Sequence, residues 1–213
     1  MARPVKTRTY RSPVRDERAA ATRRRILAAA TDLFSREGFQ ATTVAAVASA
    51  ARVSVDTVYA SVGRKPELML AVIDMTLSGS RDTVTAEERD YVQAIRAAVG
   101  ARDKIAVYAA ALAGLLPALR PLQEALRQAG ESDPECASMW RHLVERRAAN
   151  MRLFAADLQA TGQLRADLTT DQVADIVWAT NSVEFFGLFE QRGWSPRRFE
   201  ALLVDLWTRL LVT

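Results

Sequence analysis

Four residues, ARVS at 51–54, separate two segments that are each too short to be stable as isolated helices. The first starts at Val44 after two threonines, and its apolar residues recur at helical spacing. The second, 55–59, is rich in β-branched residues that favour a strand, but Ser54 is a good helix N-cap and no hairpin turn lies nearby. We therefore predict two short helices joined by a tight turn, a pair that must pack on a third element.

The segment before these two helices supplies the third element. From Thr22, apolar residues recur at spacings of three and four up to Phe34, and Gly38 is a typical helix end. Three helices in this order form a helix-turn-helix unit, and the start of its last helix can enter the major groove of DNA. We predict this unit over residues 21–68.

The remaining sequence predicts further helices and no convincing strand. Helix starts are marked by capping boxes at 85–88 (TAEE) and 169–172 (TTDQ), and by a cap followed by proline at 133–134 and 195–196. Pro117 and Pro121 are expected to break or bend the helix that carries Ile105. The predicted fold class is all-α with nine or ten helices, an N-terminal three-helix helix-turn-helix domain followed by a C-terminal helical bundle over residues 69–213.

Charge is distributed unevenly along the chain. Residues 1–68 hold 13 Lys and Arg against 6 Asp and Glu, a net of +7, whereas residues 69–213 hold 16 against 19, a net of −3. A basic first third on a mildly acidic body is typical of a nucleic-acid-binding module. Nine of the 13 cations precede Ile26, so a charged tail is the simpler explanation for part of the excess. We predict a disordered basic arm over residues 1–20, which either follows the DNA backbone or only aids solubility.

Residues 22–73, from TRRRILAAATDLF to ELMLAVI, resemble the DNA-binding region of the TetR family of bacterial transcriptional repressors. The shared features are an apolar first helix ending in Phe-x-x-x-Gly-Phe, a Thr-Thr start, a Val-Ser cap, a tyrosine in the third helix and a lysine that opens the fourth. Arg52 and Asp56 depart from the family pattern, because glycine is common at both positions. The resemblance implies a homodimeric repressor that binds a pseudo-palindromic operator of double-stranded DNA and is released by a small-molecule inducer.

The predicted DNA contacts surround the start of the recognition helix. Val55 and Thr57 carry methyl groups that suit thymine, and Asp56 can accept a hydrogen bond from cytosine. Tyr59 would contact a phosphate unless it is a half-buried core residue. Lys65 would form an anion site with the start of the next helix unless it is only a solvated cation. The full predicted set is Thr43, Arg52, Ser54, Val55, Asp56, Thr57, Tyr59, Ser61 and Lys65.

A second predicted site lies on two helices of the body, where polar residues interrupt apolar stripes. Arg147 and Asn181 fall on these stripes, and a polar group on an apolar face needs a partner or a cavity. The resemblance implies an inducer pocket there, for which the predicted residues are Trp140, Val144, Arg147, Trp178, Asn181 and Phe185. The aromatic residues could instead be core, and Arg147 could pair with Glu184. The last two helices are expected to form the dimer interface, with Leu203 and Leu206 in its seam.

The sequence offers little support for catalysis or metal binding. It contains one histidine, His142, one cysteine, Cys136, and no Glu-x-x-His motif, so we expect neither an enzyme nor a metal or cofactor site. A lone cysteine fits a reducing compartment, and the longest uncharged run of 15 residues is short of a membrane span. We therefore expect a cytoplasmic protein with no membrane partner. The alternative function is a helical small-molecule-binding protein whose DNA binding is weak or non-specific.

Overall fold

The computed structural model describes residues 13–79 and 85–213, and these ranges fold almost entirely into helices. In chain order the helices are α1 (Pro13–Ala41), α2 (Val44–Ala51), α3 (Val55–Ser61), α4 (Lys65–Ser78), α5 (Asp90–Ala97), α6 (Ala101–Ala129), α7 (Pro134–Gln159), α8 (Thr170–Thr180), α9 (Val183–Glu190) and α10 (Pro196–Leu211). A 3₁₀ turn at Ala86–Glu88 precedes α5, and one isolated antiparallel bridge joins Leu164 to Val212. The predicted all-α class is confirmed.

Helix α1 begins earlier than the sequence predicts. Residues 13–20, which we assigned to a disordered arm, form its first turns, whereas residues 1–12 lie outside the described part of the chain. The prediction was wrong for 13–20 because extending an existing helix costs little once its apolar face is anchored. That anchor is the buried face that includes Ile26 and Phe34.

Gly38 interrupts α1 where we predicted a helix end. Its backbone angles, φ 78° and ψ 176°, lie in a region that is readily open only to glycine. Beyond this kink Phe39 stacks on Phe34 at 5.9 Å between ring centroids, and Thr42 is fully buried. The end of α1 is thereby held in the core of the amino-terminal domain.

Helices α2 and α3 form as predicted, and each starts at a side-chain cap. Thr43 Oγ1 accepts a hydrogen bond from the Ala46 N–H at 3.0 Å, and Ser54 Oγ accepts one from the Thr57 N–H at 3.1 Å. Val58 is fully buried where α3 packs on α1 and α2. The β-branched stretch is helical because its cap and this packing outweigh its strand propensity.

The turn between α2 and α3 contains a strained residue. Arg52 has φ 54° and ψ 49°, and it is the only non-glycine residue with a positive φ in the described ranges. Its N–H donates to the Ser49 carbonyl, and the Val53 N–H donates to the Ala48 carbonyl, both at 3.0 Å, so Arg52 closes α2 as a glycine usually does. The left-handed conformation costs a non-glycine residue about 1–2 kcal/mol.

Helix α4 crosses the predicted domain boundary. The division that we placed between residues 68 and 69 falls inside α4, which runs unbroken and packs on α1, α6 and α7. Its fully buried side chains are Leu68, Met69, Val72 and Ile73. The boundary was missed because one continuous helix serves the cores of both parts.

Helix α6 is the centre of the body, and it packs on α1, α4, α5, α7, α9 and α10. It runs through Pro117 and Pro121 as one helix, so the predicted break does not occur. Each proline removes a backbone donor, but the helix is held by a row of buried leucines: Leu112, Leu116, Leu119, Leu122 and Leu126. By length and composition α6 is the one described helix that could cross a membrane, although 44% of the relevant stretch is buried inside the fold.

Helix α10 turns its apolar stripe inward, where it packs on α6. Leu203, which we placed in a dimer seam, is fully buried inside the protomer together with Trp207. That expectation was wrong because an amphipathic stripe is buried by the nearest apolar surface, which here belongs to the same chain. Leu206 is partly buried and Leu210 is 39% exposed.

Replacing Arg52 by glycine should raise the free energy of unfolding by about 0.5–1 kcal/mol. Glycine removes a left-handed strain of about 1–2 kcal/mol but loses about 0.5–1 kcal/mol more backbone entropy on folding. Urea unfolding followed by circular dichroism measures the difference. Arg52→Ala is the matched control, because it deletes the same side chain and keeps the strain. Equal stabilities of the two variants would contradict the strain at this residue.

Candidate nucleic-acid interface and interior cavity

The outer face of α3 is formed by residues that we predicted to read DNA. Asp56 and Tyr59 are exposed, Val55 and Thr57 are half-buried, and Val58 points into the core. Tyr59 is 48% exposed, which places it on the surface rather than in the core. The first turn of α3 therefore presents its side chains outward, as a groove-reading helix requires.

Three of the predicted hydroxyl groups already have structural roles. Thr43 and Ser54 cap α2 and α3, and Ser54 Oγ lies 2.7 Å from Thr57 Oγ1. A capping oxygen accepts an N–H bond and keeps its own proton. Thr43 can therefore still donate to a phosphate, as can one member of the Ser54–Thr57 pair. The caps fix these donors in place before any partner binds.

Lys65 lies at the start of α4, but one of the free backbone N–H groups at that helix end is already hydrogen-bonded within the protein. The Glu67 carboxylate accepts a hydrogen bond from the Arg64 N–H at 2.7 Å, so the proposed anion site cannot use that N–H. The Lys65 ammonium donates to the Gln40 carbonyl at 3.2 Å and lies 4.3 Å from the centre of the Phe39 ring. Burial lowers its pKa. Two of its three N–H donors are left for a phosphate.

The last two predicted residues of this surface differ in position. The Arg52 side chain is exposed beside the start of α3. Ser61 is half-buried, and its carbonyl accepts a hydrogen bond from Arg23 Nη1 at 2.5 Å. Arg23, which the sequence analysis did not single out, therefore fixes the end of α3 on α1. We had interpreted the basic run at 23–25 only as part of the positive charge of residues 1–68.

A cavity of about 280 Å³ lies in the body between α5, α6 and α7. Its apolar lining comes mainly from α5, α6 and α7 and comprises Leu77, Ala86, Val92, Ile95, Leu112, Leu115, Leu116, Leu119, Leu143, Met151, Leu153, Phe154 and Val183. Its charged and polar lining comprises Glu87, Arg89, Tyr91, Arg96, Tyr108, Gln123, Arg146, Arg147, Asn150, Asp157 and Asn181. A mostly apolar wall with a few convergent polar groups is typical of a small-molecule site.

Two of the six predicted ligand residues line this cavity, Arg147 and Asn181. The other four are absent from its lining, namely Trp140, Val144, Trp178 and Phe185. Trp178 lies under the Arg147 guanidinium at 4.6 Å, and the Phe185 ring packs on Phe189 at 5.1 Å. Trp140 and Val144 lie elsewhere on α7, which also packs on α8, and Trp178 and Phe185 lie on α8 and α9. Arg89 and Tyr108 also line the cavity, and we did not predict them because nothing local distinguishes them from core and surface residues.

A chain of hydrogen bonds links α6, α7 and α8 beside the cavity. Arg147 Nη1 donates to the Trp178 carbonyl at 2.5 Å and to Asn181 Oδ1. Asn181 Nδ2 donates to the Tyr108 hydroxyl at 2.9 Å, and the Met151 sulfur is 2.8 Å away. Burial raises the pKa of Tyr108, which is therefore a neutral phenol.

The Arg147 guanidinium takes part in this chain rather than in an ion pair with Glu184. Its hydrogen bonds within the described residues go to Trp178 and Asn181. Burial lowers its pKa, and the Glu184 charge opposes that shift from a distance. Arg147 is thus both a cavity residue and a structural donor.

Two ion pairs connect α4 to α7. Arg146, which lines the cavity, donates from Nη2 to Asp74 Oδ1 at 2.5 Å and from Nη1 to Oδ2 at 3.3 Å. Arg64 Nη2 lies 2.7 Å from Glu135 Oε1 in the first turn of α7. The cavity wall is therefore joined directly to the helix that follows the recognition helix.

The described residues contain no group of three or more His, Cys, Asp and Glu side chains that could hold a metal ion. The single cysteine, Cys136, is fully buried near the start of α7. Burial raises the pKa of its thiol to about 11, and the Asp133 carboxylate adds to the shift. The thiol is therefore protonated at neutral pH and poorly nucleophilic.

Comparisons with known proteins add a sequence match and a fold match. Residues 26–72 match the family model of bacterial regulatory proteins, tetR family. No curated protein matches the chain. A transcriptional regulator from Saccharomonospora viridis, solved in complex with choline, is 19% identical, with a TM-score of 0.68 over 91% of this chain and 99% of that chain.

Two further solved structures have the same fold. FadR from Bacillus subtilis in complex with stearoyl-CoA is 16% identical, with a TM-score of 0.68 over 85% of this chain and 95% of that one. GusR from Salmonella enterica is 22% identical, with a TM-score of 0.61 over 96% and 99%. The likeness therefore extends through the body and is not limited to the matched amino-terminal segment.

Replacing Arg147 by methionine should lower the free energy of unfolding by about 1–3 kcal/mol, because the Trp178 carbonyl and Asn181 Oδ1 lose a charged donor in a largely buried site. Urea unfolding measures the loss. Arg141→Met, on the exposed face of the same helix, is the matched control. If both variants unfold at the same urea concentration, the hydrogen-bond chain does not stabilise the body.

Proposed function

We propose that this chain, whose residues 26–72 match the tetR family of bacterial regulatory proteins, is a dimeric transcriptional repressor that leaves its operator when a small molecule fills the cavity. The observation that carries the proposal is Arg146, which lines the cavity and ion-pairs with Asp74 on α4. Helix α4 follows the recognition helix after a short turn. A molecule in the cavity therefore touches a residue that holds the DNA-binding part.

The outward face of α3 supports operator binding. Val55, Asp56 and Thr57 project from its first turn, the part of a recognition helix that reaches base edges. Tyr59 and Lys65 lie around them and carry O–H and N–H donors for phosphate oxygens. The excess of cations in the amino-terminal third adds the attraction to DNA that does not depend on sequence.

The cavity supports control by a ligand. The related structures include one complex with choline and one with stearoyl-CoA, so the fold accommodates ligands of very different size. In this chain Arg147 and Asn181 add polar groups to an apolar wall. Such a site binds through apolar contact and orients its ligand through a few hydrogen bonds.

The two ion pairs at the junction of α4 and α7 couple the cavity to the part of the protein that contacts DNA. Arg64–Glu135 and Arg146–Asp74 are both partly exposed, so a small change in the position of α7 can alter them. The recognition helices of a dimer must fit successive major grooves about 34–36 Å apart. A shift of α4 that changes this spacing lowers operator affinity, which is the required coupling between the two sites.

Leucines on α9 and α10 support dimerisation. Leu188 is 61% exposed and Leu210 is 39% exposed, and Leu206 lies one turn before Leu210. Exposed large apolar side chains on neighbouring helices mark a surface that another protein covers. We assign this surface to a second copy of the chain, because two half-sites need two recognition helices. As a DNA-binding regulator the protein acts in the cytoplasm.

The protein should enrich a pseudo-palindromic duplex from a random DNA pool, with an affinity that falls steeply as salt rises. Lys65→Ala should weaken all sequences alike and reduce the salt slope, whereas Val55→Ala or Thr57→Ala should change base preference by about 1–3 kcal/mol at single positions. Fluorescence anisotropy measures both effects, and Arg141→Ala on α7 is the control. If no palindrome is enriched, the alternative of a ligand-binding protein with non-specific DNA affinity replaces the repressor.

Leu188→Glu and Leu210→Glu should each yield monomers that bind the selected duplex far more weakly. A charge in an apolar interface loses its hydration and has no partner there, whereas the same change on the free surface costs little. Sedimentation velocity measures the oligomeric state. Val99→Glu between α5 and α6, where the valine is 89% exposed and lies outside the cavity lining, is the control. Intact dimers in both variants would place the interface elsewhere.

A further inference from the structure

We propose that the cavity binds a monoanionic amphipathic molecule, a carboxylate with an apolar body, and that Arg89 binds its charge. Only the effect of this ligand on the operator rests on the function proposed above. Arg89 lies between the 3₁₀ turn and α5, and its side chain lines the cavity at 6% exposure.

Arg89 lacks the partners that a buried arginine normally has. Its Nε is buried and makes no hydrogen bond, and its Nη1 reaches only the Tyr91 hydroxyl at 3.4 Å. No carboxylate lies within ion-pair distance of it in residues 13–79 and 85–213. An arginine keeps its charge in proteins, and an unpaired buried charge destabilises the fold. The side chain is therefore held ready for an anion that the described residues do not provide.

The other charges around the cavity are paired, hydrogen-bonded within the protein or exposed to solvent. Asp157 receives the buried Lys104 ammonium at 2.9 Å, and Arg146 is paired with Asp74. Arg147 donates to the carbonyl of Trp178. Glu87 and Arg96 are exposed. Among the described lining residues Arg89 is thus the buried cation that has neither a countercharge nor a full set of hydrogen bonds, which favours a ligand with a single negative charge.

The geometry around Arg89 favours a carboxylate head and an apolar body. A guanidinium fork binds a planar carboxylate through two parallel hydrogen bonds. The Tyr91 ring stacks on Tyr108 at 6.3 Å between centroids, and both tyrosines line the cavity together with Arg89. The Tyr108 hydroxyl accepts from Asn181 and donates to the Met151 sulfur at 3.5 Å, a weak acceptor that a carboxylate can replace. Beyond these groups α6 presents Leu115 and Leu119, which suit an aliphatic or aromatic body.

The first part of the test compares three probes that differ only in the head group: octanoate, octan-1-ol and octylammonium. Isothermal titration calorimetry is carried out on the full-length protein, on Arg89→Met and on Arg102→Met. Arg102 is exposed in the first turn of α6, so its variant loses the same charge away from the cavity. We expect the unaltered protein and Arg102→Met to bind octanoate about tenfold or more tightly than octanol. Octylammonium should bind most weakly.

In Arg89→Met the preference for octanoate should disappear while octanol affinity stays within about twofold, because only the charged hydrogen bonds are lost. The ligand-free variant should also melt at the same temperature as the unaltered protein or higher, since the buried unpaired charge is gone. A lower melting temperature would make Arg89 a structural residue and overturn the proposal. Undetectable octanoate binding, a preference of the unaltered protein for octanol or octylammonium, or a retained preference in Arg89→Met would overturn it as well.

The same probe separates this proposal from the function on which it rests. Operator release is followed by anisotropy while octanoate is added to the complex with selected DNA. Binding without release supports the anion site and refutes the coupling to DNA. Failure of octanoate to bind a protein that still holds its operator refutes the anion site and leaves the repressor standing.

Discussion

The burial of one face of α6 is the interaction on which the rest of the structure depends. Its leucines pack against the amino-terminal helices α1 and α4 on one side and against α9 and α10 on the other. Burying each leucine contributes about 1.5–3 kcal/mol, which together exceeds the loss caused by two internal prolines. Part of the same leucine row, Leu112, Leu116 and Leu119, lines the cavity together with Tyr108 and Leu115. One helix therefore sets the distance between the DNA-binding part, the ligand cavity and the exposed leucines.

The amino-terminal domain is attached to α4 more firmly than α4 is attached to α7. Leu68, Met69 and Val72 of α4 are fully buried, whereas the contacts to α7 include two ion pairs that keep access to water. Ion pairs of that kind are worth about 0–1 kcal/mol. A ligand needs only a modest differential affinity to change such a junction, and the domain would then move with α4 as one unit. Arg146 is well placed for this role because it belongs to both the junction and the cavity.

Polar groups in the interior follow two different patterns. Arg147, Asn181 and Tyr108 satisfy one another and the Trp178 carbonyl, so they stabilise the packing of α7 on α8. Arg89 has no such network, although it is buried to a similar degree as Asn181. Most buried polar groups in proteins are hydrogen-bonded, and an exception inside a cavity points to a missing partner. The cavity wall thus combines a hydrogen-bonded network around Arg147 with one buried arginine, Arg89, that lacks a full set of partners among the described residues.

Local chemistry determined much of this protein from the sequence alone. Caps such as Ser54 and Thr169 act on N–H groups three residues away, so the helix starts and the outward face of α3 could be predicted without knowing the fold. The cavity could not, because its walls come from segments far apart in the chain, and the choice of neighbour for each helix face depends on the packing of all the others. We predicted Trp178 in the ligand pocket and Leu203 in the dimer seam, but Trp178 packs under Arg147 of α7 and Leu203 is buried inside the protomer. Arg89 became a candidate site only through the cavity walls that surround it.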